Sequence, residues 1–193
     1  MRLLGEEEKQ AFMENAREES FKFIKKSTTQ LYVVDPQRDR PIPNGSGVLI
    51  EVSGQKCILT AAHVLLENGN VESPYAEPGI DSDDLVYLNN DNTKFHLPED
   101  LGGLKLEEHD LAILAIDSEV SELFKNKHFI DLRQIDPIDD GNRNNHYAVA
   151  GFPGSRTNVR RDIHRVEHQF FFSQQKLLTQ SQLKRFRSLS HIR

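Results

Sequence analysis

The sequence predicts a mainly β domain, a barrel or a sandwich, preceded by an N-terminal helix. Short apolar runs are separated by turns rich in Asn, Asp, Gly and Pro, two of these runs form a hairpin, and no long helices alternate with them. The chain has 193 residues, of which 37% are hydrophobic and 28% charged. These values indicate a globular protein with one domain, or one domain with terminal extensions.

The N-terminal segment is predicted to be a helix over residues 6 to 26. It is rich in Glu, Lys and Ala, and its apolar residues recur at helical spacing, namely Phe12, Met13, Ala16, Phe23 and Ile24. We expect an amphipathic helix that packs against the domain. Residues 1–29 are therefore assigned to this helical segment.

Residues 30–34 predict the first strand, and residues 35–45 a polar loop interrupted by prolines. The next two apolar runs, residues 47–52 and 56–60, are joined by three residues that include Gly54. Because glycine adopts the positive φ that a tight hairpin requires, these runs predict a β-hairpin.

Four further strands are predicted downstream, at residues 85–88, 94–97, 111–116 and 147–150. Residues 67–84 are predicted to form a long surface loop, and residues 89–92 a turn between two strands.

The charge balance gives no general reason to expect nucleic acid or an anionic membrane as a partner. The chain has 30 acidic and 24 basic residues, a formal net charge of -6.

Basic residues are enriched in residues 156–193. An arginine cluster at residues 156–165 with three phenylalanines at 170–172 suggests phosphate contact and base stacking. We favour the alternative that the phenylalanines belong to a strand whose partners are missing from this sequence.

The sequence also predicts a cytoplasmic protein without a membrane span. No run approaches the ~18 apolar residues of a transmembrane helix, and the first residues lack an apolar signal-peptide core. The single cysteine, Cys57, forms no internal disulfide, as is usual in a reducing compartment.

Two short motifs indicate chemistry. Residues 58–65 read ILTAAHVL, in which His63 follows an apolar strand and two small residues that permit a tight turn toward a cleft. Residues 109–114 read HDLAIL, in which Asp110 begins another apolar strand.

These motifs resemble the histidine and aspartate motifs of trypsin-like serine peptidases with the chymotrypsin fold, and in the same chain order. Residues 45–50 resemble the strand that precedes the histidine motif, and residues 147–154 resemble the strand and Gly-aromatic-Pro turn that begin the second barrel. The resemblance covers residues 30–154. It implies a double β-barrel, with a first barrel at residues 30–135 and an incomplete second barrel at 136–193.

The resemblance implies a serine endopeptidase in which His63 is the general base and then the general acid. It implies that Asp110 is a buried carboxylate that accepts the Nδ1 proton of His63, fixes its tautomer and stabilises the imidazolium. The substrate would be a peptide or protein, and no cofactor or metal is required. The family's nucleophile lies in a Gly-x-Ser-Gly-Gly sequence roughly 90 residues beyond the aspartate. No serine after Asp110 has this context, and Ser155, beside Gly154, lacks the following glycines. We therefore expect an incomplete peptidase chain, inactive as it stands.

Other interpretations remain open. His63 is alternatively a histidine satisfied in the core, and Asp110 a carboxylate that caps local N–H groups. His164 and His168 have the spacing of metal ligands on a helix, but a charged surface among arginines is favoured. The second functional hypothesis is a non-catalytic peptide-binding or sensor module on the same fold, with a sheet edge that accepts an extended segment. The sequence leaves the oligomeric state open.

Overall fold

The computed structural model describes residues 5–35, 37, 40–67, 70–79, 84–97, 109–134, 146–152, 157–160, 165–168 and 171–176. Over these residues the protein is mainly β, with a curled antiparallel sheet and an N-terminal helix. This confirms the predicted mainly β class. The two ends of the main sheet do not meet within the described residues, so closure into a double barrel is not part of the observed architecture.

Helix α1 (Glu6–Lys26) contacts the remainder of the structure mainly near its C-terminal end. The backbone N–H of His128 donates to the carbonyl of Lys26 at 2.9 Å, and the ring of Phe23 lies 5.0 Å from that of His128. No residue of the helix is buried, and the Phe12 and Met13 side chains are exposed. The expectation that its apolar face packs against the domain is therefore wrong for the N-terminal half, because helical periodicity does not specify what a face contacts.

Eight strands form the main sheet of the described residues. The first three strands in the chain belong to it, namely β1 (Thr28–Asp35), β2 (Arg40–Val52) and β3 (Gln55–Thr60). The next strand, β4 (Leu66–Glu67), lies outside this sheet. The following strands are β5 (Asn70–Val71), which pairs with β4, then β6 (Tyr75–Ala76), β7 (Val86–Tyr87), β8 (Thr93–His96), β9 (Ala112–Ile116) and β10 (Ile130–Asp131). The antiparallel order is β7-β6-β1-β2-β3-β9-β8, and β10 pairs parallel with β2.

The β2–β3 hairpin confirms the strongest sequence prediction. Its turn contains Ser53 at φ 52° and Gly54 at φ 85°, the left-handed conformations that a tight hairpin requires. Earlier in β2, Gly47 lies against a side chain of β3, since a Cβ on this residue would overlap Cγ2 of Ile58. The absence of a side chain therefore allows β2 and β3 to approach closely.

One apolar core lies beneath the sheet and extends to helix α2 (Ser118–Leu123). Strand β9 shows how the sheet is oriented, since Ala112, Leu114 and Ile116 are buried and alternate with less buried residues. The other buried apolar members are Leu31, Leu49, Ile58, Ala62, Val64, Leu65, Ala76, Leu88, Val120 and Phe124.

The C-terminal part contains β11 (His146–Gly151), β12 (Thr157–Arg160), β13 (Arg165–His168) and β14 (Phe171–Lys176). Strand β11 pairs with β14 and β12 with β13, both antiparallel. Because Phe171 and Phe172 pair with Gly151 and Ala150, the predicted strand at the phenylalanines exists but its partner is present. The expectation of a missing partner was therefore wrong.

Two predicted loops contain strand. Residues 40–45 belong to β2, and all of them except Asn44, which lies at a bulge, pair with β1, so the predicted polar loop at 35–45 is shorter than expected. The predicted loop at 67–84 contains β6, which joins the main sheet beside β1. Five further strand predictions are confirmed as β1, β7, β8, β9 and β11, namely those at residues 30–34, 85–88, 94–97, 111–116 and 147–150. The predicted turn at 89–92 is also confirmed.

None of the helices within the described residues is long and apolar enough to cross a membrane.

The close approach at Gly47 predicts a steric effect on stability. Replacement Gly47→Ala places a methyl group against Ile58 in a packed sheet, and the free energy of unfolding should fall by roughly 1–3 kcal/mol. The matched control is Val52→Ala, an exposed position on the same strand, which should cost at most about 1 kcal/mol. Urea unfolding measures both, and equal losses in the two variants would contradict the packing argument.

Candidate functional site

The pairing of β3 with β9 places His63 and Asp110 at one end of the main sheet. The two strands are antiparallel, and the last residue of β3, Thr60, pairs with the first residue of β9, Ala112. His63 follows shortly after β3 and Asp110 shortly precedes β9. One strand pair therefore brings together two residues that are 47 positions apart in sequence.

The turn after β3 directs the imidazole away from the core. Residues 62–64 form a single turn of 3-10 helix in which Ala62 and Val64 are buried. The residue between them faces the opposite way, and the His63 side chain is 72% exposed. This excludes the alternative that His63 is satisfied in the core, since its ring lies at the surface.

Asp110 contacts His63 through both the backbone and the ring. The backbone N–H of His63 donates to Oδ1 of Asp110 at 2.9 Å, and Nδ1 of His63 lies 2.5 Å from Oδ2. One carboxylate therefore fixes the position of the turn and the orientation of the ring. With the proton on Nδ1, the imidazole donates to Asp110 and presents Nε2 away from it.

These hydrogen bonds favour the ionised carboxylate. The pKa of Asp110 is lowered, principally by the hydrogen bond from the backbone N–H of His63, then by the hydrogen bond from the His63 ring, with a further contribution from the N–H of Ala62. Burial acts in the opposite direction, but the Asp110 side chain is 52% exposed. The expectation of a buried carboxylate is therefore wrong, because Asp110 precedes β9 and lies outside that strand's alternation of buried residues. The alternative role considered for Asp110, capping local N–H groups, is thus present together with its contact to the ring.

Side-chain hydrogen bonds join strand β2 to the end of β3 and to the turn that contains His63. The hydroxyl of Thr60 donates to the carbonyl of Ser46 at 2.9 Å, and Nδ2 of Asn44 donates to the carbonyl of Val64 at 2.6 Å. Sequence reasoning missed Asn44, because it was assigned to a loop. A lone asparagine beside a glycine carries no signal that would separate such a contact from a turn.

The Gly151-Phe152 sequence joins the end of β11 to the same region of β2. The N–H of Phe152 donates to Oγ of Ser46 at 2.8 Å, and the Phe152 side chain is buried. A Cβ on Gly151 would lie 3.2 Å from the same Oγ. The predicted turn shaped by glycine and proline stays a prediction, because the following Pro153 and Gly154 lie outside the described residues.

The nucleophile predicted by the family resemblance is not found at this site. Among the described residues, no serine hydroxyl is hydrogen-bonded to His63, and Ser121 instead donates to the carbonyl of Ser118. Ser155 lies outside the described residues. Over the described residues, the arrangement is therefore a histidine and an aspartate in which Nε2 of His63 has no hydrogen-bond partner.

The described residues contain no cluster of three or more His, Cys, Asp or Glu side chains that could hold a metal ion. His168 ends strand β13, whereas His164 lies outside the described residues. The strand conformation of 165–168 removes the helical spacing on which a metal interpretation of the two histidines depended.

Comparison of the chain with protein-family models, curated proteins and solved structures finds no match. The interpretation of the site therefore depends on its geometry and on the sequence motifs around His63 and Asp110.

Replacement of the carboxylate should destabilise the protein in a pH-dependent way. Because folding lowers the pKa of Asp110, its ionised form stabilises the folded state above the ordinary carboxyl pKa of about 3.9, and this contribution is lost as the pH falls through the lowered value. The variant Asp110→Asn should therefore lose stability at neutral pH, and its difference from the unmodified protein should shrink below about pH 4.

Urea unfolding at several pH values measures this difference. The control is Asp91→Asn, which removes one exposed carboxylate from the turn before β8 and so makes the same change in net charge. An Asp110→Asn difference that stays constant from pH 7 to pH 2.5 would show that the hydrogen bonds to His63 do not favour the carboxylate.

Proposed function

We propose that His63 and Asp110 are the general base and its orienting carboxylate in a trypsin-like serine endopeptidase site. The observation that carries the proposal is the 2.5 Å separation between Nδ1 of His63 and Oδ2 of Asp110. The motifs around both residues and their order in the chain support the same assignment. The proposed fold is the chymotrypsin-like double barrel, of which the main sheet would form the first barrel.

The exposure of the pair supports a chemical role. An exposed ion pair typically contributes only about 0–1 kcal/mol to stability. Stabilisation of the fold therefore does not by itself explain the pairing of His63 with Asp110. The ring is 72% exposed, and Nε2 is free to accept a proton from a group that approaches from solvent or from another part of a cleft. The site thus holds a base with a defined tautomer and an accessible second nitrogen.

In the proposed reaction, Nε2 of His63 removes the proton of a serine hydroxyl as its oxygen attacks a peptide carbonyl. The C–O bond forms, the carbonyl oxygen becomes an oxyanion held by backbone N–H groups, and the imidazolium then gives its proton to the leaving amine as the C–N bond breaks. Water then attacks the resulting serine ester by the same steps in reverse, which releases the carboxylic acid product and restores the serine hydroxyl. Asp110 stays ionised throughout and stabilises the imidazolium, which its lowered pKa favours.

The nucleophile is the missing part of this proposal. The 193 residues contain no Gly-x-Ser-Gly-Gly sequence, so the chain supplies the base without a recognised serine. We propose that the serine belongs to sequence downstream of Arg193, and that residues 1–193 alone do not hydrolyse peptides. The reading frame beyond the codon for Arg193 tests the first part directly.

Fluorophosphonate labelling tests the enzymatic role. A longer natural chain that contains the serine should be labelled covalently, and His63→Ala should reduce the labelling rate by at least about 10³-fold, since the base activates the nucleophile. The matched control is His109→Ala, an exposed histidine beside Asp110, which should keep the rate within about twofold of the unmodified chain. A folded longer chain that is not labelled, or that is labelled equally well without His63, would refute the peptidase proposal.

A binding module is the second candidate, favoured by the exposed end of the main sheet. Within the described residues, β8 pairs with β9 on one side and has no strand on the other. An edge strand of this kind can bind an extended peptide through main-chain hydrogen bonds.

If the protein is such a module, titration with an unstructured peptide library should shift the amide NMR signals of residues 93–96 without any fluorophosphonate labelling. Signals of the interior strand β3 should move much less, because both of its edges are already paired. Unchanged signals at 93–96 would argue against peptide binding at this edge.

A further inference from the structure

The turn that carries His63 is held from strand β2 by Asn44. The two hydrogen bonds of the turn itself run from the N–H of Val64 to the carbonyl of Ala61 at 3.1 Å and from the N–H of Leu65 to the carbonyl of Ala62 at 3.0 Å. Neither uses the carbonyl of Val64. That carbonyl accepts from Nδ2 of Asn44 at 2.6 Å, so the turn is anchored at its last residue by a side chain 20 positions away in sequence.

The residue after Asn44 restrains the same valine through its side chain. A Cβ on Gly45 would lie 2.6 Å from Cγ2 and 2.8 Å from Cγ1 of Val64, closer than any real side chain could approach. The β2 backbone therefore lies directly against the Val64 side chain, which is buried. Asn44 fixes the backbone of Val64, and Gly45 limits where its side chain can move.

These contacts bear on His63 because of how it binds Asp110. Both the backbone N–H and the ring of His63 must reach the same carboxylate, at 2.9 Å and 2.5 Å respectively. A rotation of the short turn would separate one of them from Asp110 even if the other remained in contact. Val64 is the neighbour of His63, so holding its carbonyl restricts that rotation.

We propose that Asn44 is a positioning residue for His63: it holds the Val64 carbonyl so that the backbone and ring of His63 both face Asp110. The residue contacts Val64, and its effect on the pair passes through the turn. This inference deepens the proposed function, since positioning matters for catalysis only if His63 acts as the base. The arrangement of the pair can nevertheless be measured without any catalytic activity.

The surroundings of Asn44 distinguish positioning from support of the fold. Asn44 is exposed, so water can replace its amide at the Val64 carbonyl when the side chain is removed. Removal should thus leave the core and the sheet folded. A mobile water, unlike a side chain fixed on β2, does not tie the turn to the sheet.

The test is an NMR comparison of Asn44→Ala with the unmodified 193-residue chain. Loosening of the turn weakens the hydrogen bonds that lower the pKa of Asp110, so the pKa from its side-chain carboxyl ¹³C titration should move up toward the ordinary value. Protection of the His63 amide against hydrogen exchange should fall about five- to tenfold, the equivalent of one net hydrogen bond. Gly45→Ala, which pushes on Val64 sterically, should shift both measurements in the same direction.

Asn92→Ala is the matched control. Its Nδ2 also donates to a backbone carbonyl, that of Tyr87 at 2.9 Å, but in the turn between β7 and β8. This variant should lose stability without any change at Asp110 or His63. If Asn44→Ala leaves both measurements unchanged, or if it fails to fold, Asn44 is not a positioning residue and the proposal is overturned.

The result is separable from the peptidase proposal. Lack of fluorophosphonate labelling in a longer chain would refute the enzymatic role without affecting the NMR comparison. An unchanged Asp110 titration in Asn44→Ala would refute positioning by Asn44, whatever the labelling experiment shows.

Discussion

The antiparallel pairing of β3 with β9 is the constraint on which the candidate site depends. This pairing sets Thr60 opposite Ala112 and so brings together a histidine and an aspartate that are distant in sequence. Its register is determined by the alternate buried residues of β9, because a slip of one position would turn those apolar side chains outward. The burial of the core thus fixes the geometry of a pair that is itself at the surface.

Asp110 makes two contacts with His63, because each oxygen of its carboxylate accepts one hydrogen bond. The carboxylate accepts from the backbone N–H of His63 and from its ring at once, since Asp110 lies close to the turn that follows β3. The first contact holds the peptide backbone, and the second selects the tautomer of the ring. The same hydrogen bonds keep the group ionised, so structure and electrostatics favour the same protonation state.

The sequence predicted those elements whose local pattern agrees with their packing. The β2–β3 hairpin and β9 have apolar runs with clear turn residues, and the meeting of His63 with Asp110 followed from a motif resemblance. The beginning of β2 was missed because Pro41, Pro43 and Asn44 are typical of loops. Within the described part of the chain, however, residues 40–43 and 45–47 pair only with β1, so the prolines lie where one edge of the strand is open and a missing N–H is tolerated. Such an edge becomes visible only when the pairing of all three strands is known.

Ser46 shows how the site could be linked to the C-terminal strands. Its carbonyl accepts from Thr60, three residues before His63, and its hydroxyl accepts from the N–H of Phe152, directly after β11. One residue of β2 therefore contacts both β3, the strand that precedes His63, and the residue that follows β11. In the proposed peptidase, whose base and nucleophile come from different β units, the relative position of those units sets the distance over which the proton moves. Burial of Phe152 beside Ser46 restricts the position of the paired strands β11 and β14 relative to β2.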